Sequence, residues 1–497
     1  MPDRKKKNYV ALDLGAGSGR AILGSFDGER LSLEEAHRFP NDPVSLPDGL
    51  HWDVLRLFSD MKQGLIKAAG MADGPIDGIA VDTWGVDYAL LDDEGRLLGN
   101  PHHYRDARTD GMLEEAFRRM PREEIFASTG LQFMQINTAF QLLSQVLQQD
   151  PALKTAERLL MTPDLFHYWL TGRQVAERTI ASTSQCYNPA QDEWAQDVIE
   201  KLGLPLKIFP EIVSPGTVLG PLRADVVSET GLADTPVIAV GCHDTASAVA
   251  AVPLAGAGEA YLSSGTWSLL GVEVPAPVID ENSLKYNFTN EAGVADTIRL
   301  LKNITGLWLT QELRRVWNAE GESLSFEDLA ELAQSAEPFA HFIDPDDPVF
   351  LAPGDMVPRI AEFCRRTGQP EPTTRGAILR TAYESLAFKY RWVLDLLEKL
   401  TGETLHTIHV VGGGSRNAAL NPWTASATGR TVRIGPGEAT ATGNVLLQMI
   451  ATGQLASVEE GRELVRASFP SETFEPQDTQ VWDEAYGRFC ACVGLSL

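Results

Sequence analysis

The sequence predicts an α/β protein made of two similar halves, and three observations carry that prediction. Short apolar runs that read as strands alternate with segments at helical spacing. Near the start, residues 9–13 run through the turn Leu14-Gly15-Ala16-Gly17-Ser18-Gly19 into a second strand-like run, residues 20–26, which reads as a β-hairpin. A similar hairpin returns where residues 260–262 lead through Ser263-Ser264-Gly265-Thr266 into residues 267–274. Gly15 and Ser264 are 249 residues apart in a chain of 497, so one Gly/Ser hairpin falls in each half, and the two are expected to face each other across a cleft. Two ordinary surface hairpins remain the alternative reading of that spacing.

The remaining elements follow in order. Residues 76–82 read as a strand, and residues 88–91 as another after a Trp84-Gly85 turn, closed by the tight turn Asp92-Asp93-Glu94-Gly95. The stretch from Ser214 to Thr235 carries the breakers Ser214-Pro215-Gly216, Gly220-Pro221 and Gly231 and is expected to join the halves. Residues 236–240 form a buried-type strand entering Gly241-Cys242-His243-Asp244-Thr245, and residues 246–251 look helical. Ile378, Ala382, Leu386, Tyr390, Val393 and Leu397 keep helical spacing up to Gly402, a suitable C′ cap. Residues 407–411 read as a strand, Gly412-Gly413-Gly414 as a sharp turn and Asn417 as a helix start.

Composition narrows the function. Hydrophobic residues make up 43% and charged residues 22%, values of a globular protein, which excludes disorder as the main state. Lys and Arg number 42 against 68 Asp and Glu, a net charge of −26 that argues against nucleic acid. Any phosphate ligand must then be held locally, by backbone N–H groups, a metal ion or a few placed cations. Five cysteines, at 186, 242, 364, 490 and 492, contain no C-x-x-C pair and suggest a reduced cytoplasmic protein. The start Met1–Asn8 is basic, but Asp13 interrupts the apolar run behind it, so no signal peptide is expected. No stretch approaches the ~18 apolar residues of a membrane helix.

Two familiar phosphate loops fail on inspection. A Walker A loop needs a Gly-Lys pair, and none occurs; the Gly15 turn has G-x-G-x-G spacing and leads into a strand, unlike a dinucleotide fingerprint. A glycine-rich hairpin can still offer several N–H groups to a phosphate. Asp13, ending a strand beside that turn, suits Mg²⁺ directly or through water, or else hydrogen-bonds the turn itself. Asp244, between a strand and a helix, suits a general base or an ordinary N-cap. The three glycines at 412–414 admit a flat ligand or tight packing. The residues 104–108 (Tyr-Arg-Asp-Ala-Arg) line a polar pocket or form a solvated loop. His102, His103, His406 and His409 lack partners at zinc spacing, and Cys490 and Cys492 read as packing.

In this order the segments resemble the FGGY carbohydrate kinases over nearly the whole chain, and within them the rhamnulokinase branch. The motifs are residues 12–20 (LDLGAGSGR), 82–87 (DTWGVD), 104–108 (YRDAR), 130–133 with Asn137-Thr138, 161–166 with 170–172, 243–249 (HDTASAV) and 261–268 (YLSSGTWS). The set closes with residues 301–308 (LKNITGLW), 411–414, 435–440 and Gly443-Asn444. The resemblance implies two actin-like, ribonuclease-H-like ATPase domains around a central cleft, placed at residues 1–235 and 236–497. It implies ATP-dependent, Mg²⁺-assisted phosphorylation of L-rhamnulose at the C1 hydroxyl, with Asp244 as proton acceptor. It places ATP on Ala16, Gly17, Ser18, Gly19, Arg20, Thr266, Gln311 and Gly413, and the sugar on Gly85, His243, Asp244, Thr245 and Asn303; Asp13, from its position at the strand end, suits Mg²⁺ directly or through water. L-fuculose or another ketose is the nearest alternative substrate; an actin-like ATPase without kinase activity and a sugar-binding sensor are further ones. Two positions depart from the family pattern: Gly17 stands where Ser or Thr is usual, and Ile180 replaces an Asn.

Overall fold

A computed structural model describes residues 6–496, so residues 1–5 of the basic opening stretch lie outside the described residues. The strands that position the site are, in chain order, β1 (Lys7–Leu14), β2 (Ser18–Phe26), β3 (Leu31–Pro40), β4 (Ile76–Thr83), β5 (Thr217–Pro221) and β6 (Pro236–Ala239). They continue with β7 (Glu259–Ser264), β8 (Trp267–Val274), β9 (Thr289–Ala292), β10 (Ile298–Thr305), β11 (Thr407–Val411), β12 (Thr431–Ile434) and β13 (Thr473–Phe474). The chain forms two compact units. The first holds the residues up to Ala251 with Glu273–Leu300 and Ala439–Ser468; the second holds Val252–Val272, Leu301–Glu438 and the residues from Phe469 on.

The sheet of the first unit has the order β5-β6-β4-β1-β2-β3. The hairpin β1–β2 is antiparallel, as the sequence suggested, while β4 runs parallel to β1 and β6 parallel to β4. β1 is buried along nearly its whole length, as befits a central strand covered on both faces. Helix Val54–Met71 covers one face. Its buried positions Val54, Leu57, Met61, Gly64, Leu65 and Ala68 recur at helical spacing, and Asp53 caps its start by accepting from the Arg56 N–H. Gly64 is there because a Cβ would sit 2.5 Å from the Ala21 side chain.

Within the second unit the order is β10-β8-β7-β11-β12-β13, with an antiparallel β7–β8 hairpin and β11 and β12 added in parallel. Each unit thus repeats one device: a hairpin whose first strand continues into a parallel ladder. This is the duplicated α/β architecture expected from the two hairpins, and it agrees with the ribonuclease-H-like fold class that the resemblance implies. Helix Arg375–Thr401 is the second unit's longest. Thr374 caps it by accepting from the Ala377 N–H, and Gly402 ends it at φ 73°. All six apolar residues noted in its sequence pattern are buried.

Two expectations are corrected. Residues 214–235 are not a linker, because they contain β5 and helix Ala224–Thr230, and β5 is an edge strand of the first sheet. The junction expected at residue 235 therefore falls inside the first unit: β6 pairs with β4, and Asp244 lies in the first unit rather than the second. Asn417 does not open a helix directly. Residues Gly413–Arg416 form a 3₁₀ turn, and the Asn417 side chain accepts from the N–H groups of Ala419 and Leu420 ahead of helix Leu420–Thr428.

Candidate active site

The first unit gathers three carboxylates at the carboxyl ends of adjacent parallel strands, the position where open α/β sheets place their ligands. Asp13 and Asp82 are register partners on β1 and β4. The next residue, Thr83, donates its N–H to the Cys242 carbonyl at 2.9 Å and bridges His243, which brings Asp244 to the same edge. Asp244 is the first residue of helix Asp244–Ala250, with its side chain 31% exposed. Asp13 is almost fully buried and Asp82 fully so.

Burial raises Asp82 well above the usual carboxylate range, and the neighbouring Asp13 and Asp244 charges push in the same direction. A 2.6 Å hydrogen bond from the Asn444 amide opposes the shift without cancelling it. Asp82 Oδ1 is buried without a hydrogen-bond partner among the described residues. Asn444 reaches it from helix Ala439–Ala451. That helix packs tightly on Asp244–Ala250 because residue 443 is glycine: a Cβ there would lie 1.7 Å from the Ser247 carbonyl oxygen.

The backbone of the 241–244 loop hangs on Glu177, a residue the sequence reading did not single out. Its Oε2 accepts from the Cys242 N–H at 3.1 Å and from the Thr179 hydroxyl at 2.6 Å, and that hydroxyl accepts from the His243 N–H at 3.2 Å. Burial pushes Glu177 up to about 7, against the bonds it accepts from Thr179. Ile180, where the family has Asn, donates its N–H to Glu177 at 3.2 Å and buries its side chain in the apolar core, so the departure is absorbed locally.

The first hairpin turn is open at its tip. Gly15 donates to the Ser18 carbonyl at 3.0 Å, and Asn41 donates from its side chain to the Gly15 carbonyl at 2.8 Å. Gly17 is exposed, with nothing within 4 Å of the place of a Cβ, whereas a Cβ on Gly19 would strike the Phe39 ring. Gly19 is thus a packing glycine, and Ala16, Gly17 and Ser18 form the accessible part. Arg20 pairs with Asp13 at 2.5 Å.

The Trp84–Asp87 loop holds Gly85 half-buried beside Thr183. Val86 sits at φ 69°, an unfavourable region for a β-branched residue. Three bonds hold it there: its N–H donates to Thr183 Oγ1 at 3.0 Å, and its carbonyl accepts from the Thr138 hydroxyl at 2.6 Å and the Gln141 amide at 3.3 Å. Beneath it, buried Asp87 accepts from the indoles of Trp52 and Trp84 at 2.6 and 2.9 Å and from Gln141 at 2.9 Å. Burial raises it to about 6. The 104–108 stretch is part of this structure rather than a solvated loop. The Tyr104 N–H donates to Asp87 at 3.2 Å, and Arg108 donates to Gln141 at 2.6 Å while two of its other guanidinium nitrogens are buried without hydrogen-bond partners among the described residues, one of them 4.0 Å from Asp106.

In the second unit, the Thr266 hydroxyl donates to the Gln311 side chain at 3.0 Å, joining two residues read as nucleotide contacts. The carbonyls of Gly265 and Thr266 accept from the N–H groups of Leu307 and Trp308, which ties the hairpin turn to the start of helix Trp308–Ala319. Of the three glycines at 412–414, Gly412 and Gly414 pack on Ser264, where a Cβ would come within 2.8 and 2.0 Å, while Gly413 faces open space. Asn303 is half-buried on β10.

One group of possible metal ligands exists among the described residues: Asp164, His167 and Cys242, in the core of the first unit. Sequence spacing does not show it, since its members lie on separate elements. Its chemistry is hydrogen bonding. The Val81 N–H donates to His167 Nε2 at 3.4 Å, which leaves the proton on Nδ1, the Cys242 thiol donates to the Val240 carbonyl, and burial pushes the Asp164 carboxyl and the Cys242 thiol well above their ordinary ranges. His102 and His103, held down by burial to about 4 and about 3, are neutral packing residues, the latter stacked on Trp52 at 4.1 Å.

Comparison with known proteins decides the family. The N-terminal domain of the FGGY family of carbohydrate kinases matches residues 8–251, and its C-terminal domain matches residues 260–452. The chain belongs to the FGGY family of carbohydrate kinases. It is 46% identical to a rhamnulokinase from Bacteroides thetaiotaomicron, over 98% of this chain and 100% of that one. It is 39% identical to one from Bacillus subtilis, over 95% and 96%. A solved xylulose kinase from Lactobacillus acidophilus superposes with a TM-score of 0.82 at 16% identity, covering 98% and 97% of the two chains. A glycerol kinase from Plasmodium falciparum, solved with ADP, gives 0.78 at 16% identity, covering 99% of each. The FGGY matches divide the chain near residue 251, past the predicted boundary and close to the end of helix Asp244–Ala250. As a carbohydrate kinase, the protein needs a base for a sugar hydroxyl and donors for phosphates.

Proposed function

We propose that this FGGY kinase transfers the terminal phosphoryl group of ATP to the C1 hydroxyl of L-rhamnulose, giving L-rhamnulose 1-phosphate and ADP. The full-length identity of 39–46% to several curated rhamnulokinases is the observation that carries the reading. The five free cysteines suit a reducing, cytoplasmic setting, and among the described residues no helix is long and apolar enough to cross a membrane.

Asp244 is the proposed catalytic base. Its carboxylate is partly exposed at the strand ends, where a substrate hydroxyl could meet it, whereas Asp82 is fully buried. A primary hydroxyl is weakly acidic, so the base aligns it and accepts its proton as transfer proceeds. Gly85, His243, Thr245 and Asn303 are the proposed sugar contacts; the Thr245 hydroxyl donates to Asp244 at 3.1 Å and orients it. In the first unit the Ala16–Arg20 turn, and in the second Thr266, Gln311 and Gly413, are the proposed nucleotide contacts.

The oxygen-only donor set of Asp13 and Asp82, including a buried Oδ1 without a hydrogen-bond partner, fits a hard cation. Asp13 is the residue proposed to hold Mg²⁺, through water where needed, and the ion would neutralise phosphate charge. Because Arg20 already offsets Asp13, local neutralisation does not depend on the overall charge of −26.

A ketose panel with ADP release as readout tests the reading. L-Rhamnulose is expected to turn over fastest; a clear preference for L-fuculose or a pentulose would overturn the substrate and leave the kinase family intact.

A further inference from the structure

His243 is held from behind by two fully buried charges that no sequence motif marks. Glu291 on β9 and Arg299 on β10, both in the first unit, form an ion pair with Glu291 Oε2 and Arg299 Nη2 3.0 Å apart. Arg299 is 0% and Glu291 4% exposed. Both meet the same ring nitrogen: His243 Nδ1 lies 3.2 Å from Arg299 Nη2 and 3.1 Å from Glu291 Oε2. The opposite nitrogen, Nε2, lies 3.5 Å from Asp244 Oδ1. Arg299 is anchored independently, donating from Nε to the Ala292 carbonyl at 3.1 Å.

These contacts constrain where the imidazole carries hydrogen. Nδ1 has a donor, Arg299, and an acceptor, Glu291, at nearly equal distance. Only the Arg299 contact has hydrogen-bond geometry, and Glu291 Oε2 makes no hydrogen bond among the described residues, so Nδ1 accepts from the guanidinium and the ring proton belongs on Nε2. If the ring gains a second proton, Nδ1–H turns to Glu291 and Nε2 still keeps its hydrogen. Both forms present Nε2–H to Asp244. A bare Nε2 would set a lone pair against the carboxylate.

We infer that Arg299 and Glu291 are positioning residues that fix His243 with its Nε2–H directed at Asp244, so that the base is held in one orientation. Glu291 is the counter-ion that lets a buried guanidinium do this. The burial cost on Glu291 is outweighed by Arg299 and His243, which leave it below its ordinary range. This inference rests on Asp244 being the base.

The test is a double-mutant cycle on the ketose reaction. Glu291→Gln and Arg299→Met are expected to lower kcat by at least about tenfold with the KM for ATP within about twofold, while Arg299→Lys, which can still donate to Nδ1, stays within about threefold. In a His243→Ala background the same substitutions are expected to cost less than about twofold, because the ring they act through is gone. Equal losses in both backgrounds would mean that the pair is merely structural and would overturn the inference. Should the substituted proteins fold poorly, ¹⁵N-histidine NMR of the unsubstituted enzyme decides it. A bare Nδ1 with a protonated Nε2, or a doubly protonated ring, supports the assignment, and a proton on Nδ1 alone refutes it. The two readings fail separately: Asp244→Asn with full kcat would sink the base while leaving the His243 proton where it was found.

Discussion

The Asn444 amide donates to Asp82 Oδ2 at 2.6 Å, joining helix Ala439–Ala451 to β4 across 362 residues of sequence. Asn444 is itself oriented by Gln448, whose amide donates to it at 2.7 Å and to the Val10 carbonyl at 3.1 Å. One chain of amides therefore links the base of the carboxylate cluster to the central strand.

Removing that link should be costly. Asn444→Ala leaves the buried Asp82 Oδ2 without its donor and removes one of the two bonds donated by Gln448, which keeps the Val10 carbonyl, and the expected loss is about 1–3 kcal/mol in denaturant unfolding. A loss under about 0.5 kcal/mol would mean that water replaces the amide freely.

Glu177 gives a pH-dependent signature. Its carboxyl titrates at about 7 when folded and near 4.5 when unfolded, so the folded form binds the extra proton between those values. The stabilisation is complete below the unfolded value and is lost as pH rises through the folded one. The cost of Glu177→Gln should therefore be greatest near pH 4.5 and shrink by about 3 kcal/mol by pH 8. Comparing the two proteins cancels the opposing contribution of the buried histidines. A cost independent of pH would show that Glu177 is ionised in the folded protein.

The glycines of the 412–414 turn should separate by function. Gly414→Ala forces a Cβ to 2.0 Å from Ser264 Oγ and is expected to destabilise the second unit by about 1–3 kcal/mol. Gly413→Ala meets nothing, so thermal stability should hold while the KM for ATP rises. Unchanged ATP kinetics in Gly413→Ala would remove that residue from the nucleotide contacts.

Val86 is expected to behave as a strained residue. Val86→Gly relieves a left-handed β-branched backbone whose cost is about 1–3 kcal/mol, which offsets the added chain entropy. The Tm should not fall, while the KM for the ketose rises as the Trp84–Asp87 loop loosens. A Tm lowered by several degrees would contradict the strain.

Much of this was legible in the sequence where the signal is local. The two hairpins show as Gly/Ser turns between apolar runs, helix Arg375–Thr401 as six residues at helical spacing ending on Gly402, and Asp244 as a carboxylate between strand and helix. Gly17 and Gly413 could be named but not distinguished from their neighbours, because only the packing of Phe39 and Ser264 shows which glycines are structural. Glu177, Glu291 and Arg299 were missed for a plain reason. Each acts through partners on other elements, and an isolated Glu or Arg in an apolar strand has no spacing to betray it. The junction was misplaced because breakers at Gly220-Pro221 and Gly231 look like a linker, while β5 pairs at a sheet edge, where proline is tolerated.

The central claim is that Asp244 takes the proton from the sugar hydroxyl, and kcat of Asp244→Asn with L-rhamnulose, beside MgATP binding by calorimetry, tests it most directly. The account predicts a fall in kcat of about 10²–10⁴-fold with the affinity for MgATP retained. An Asp244→Asn enzyme that keeps most of its kcat would contradict it.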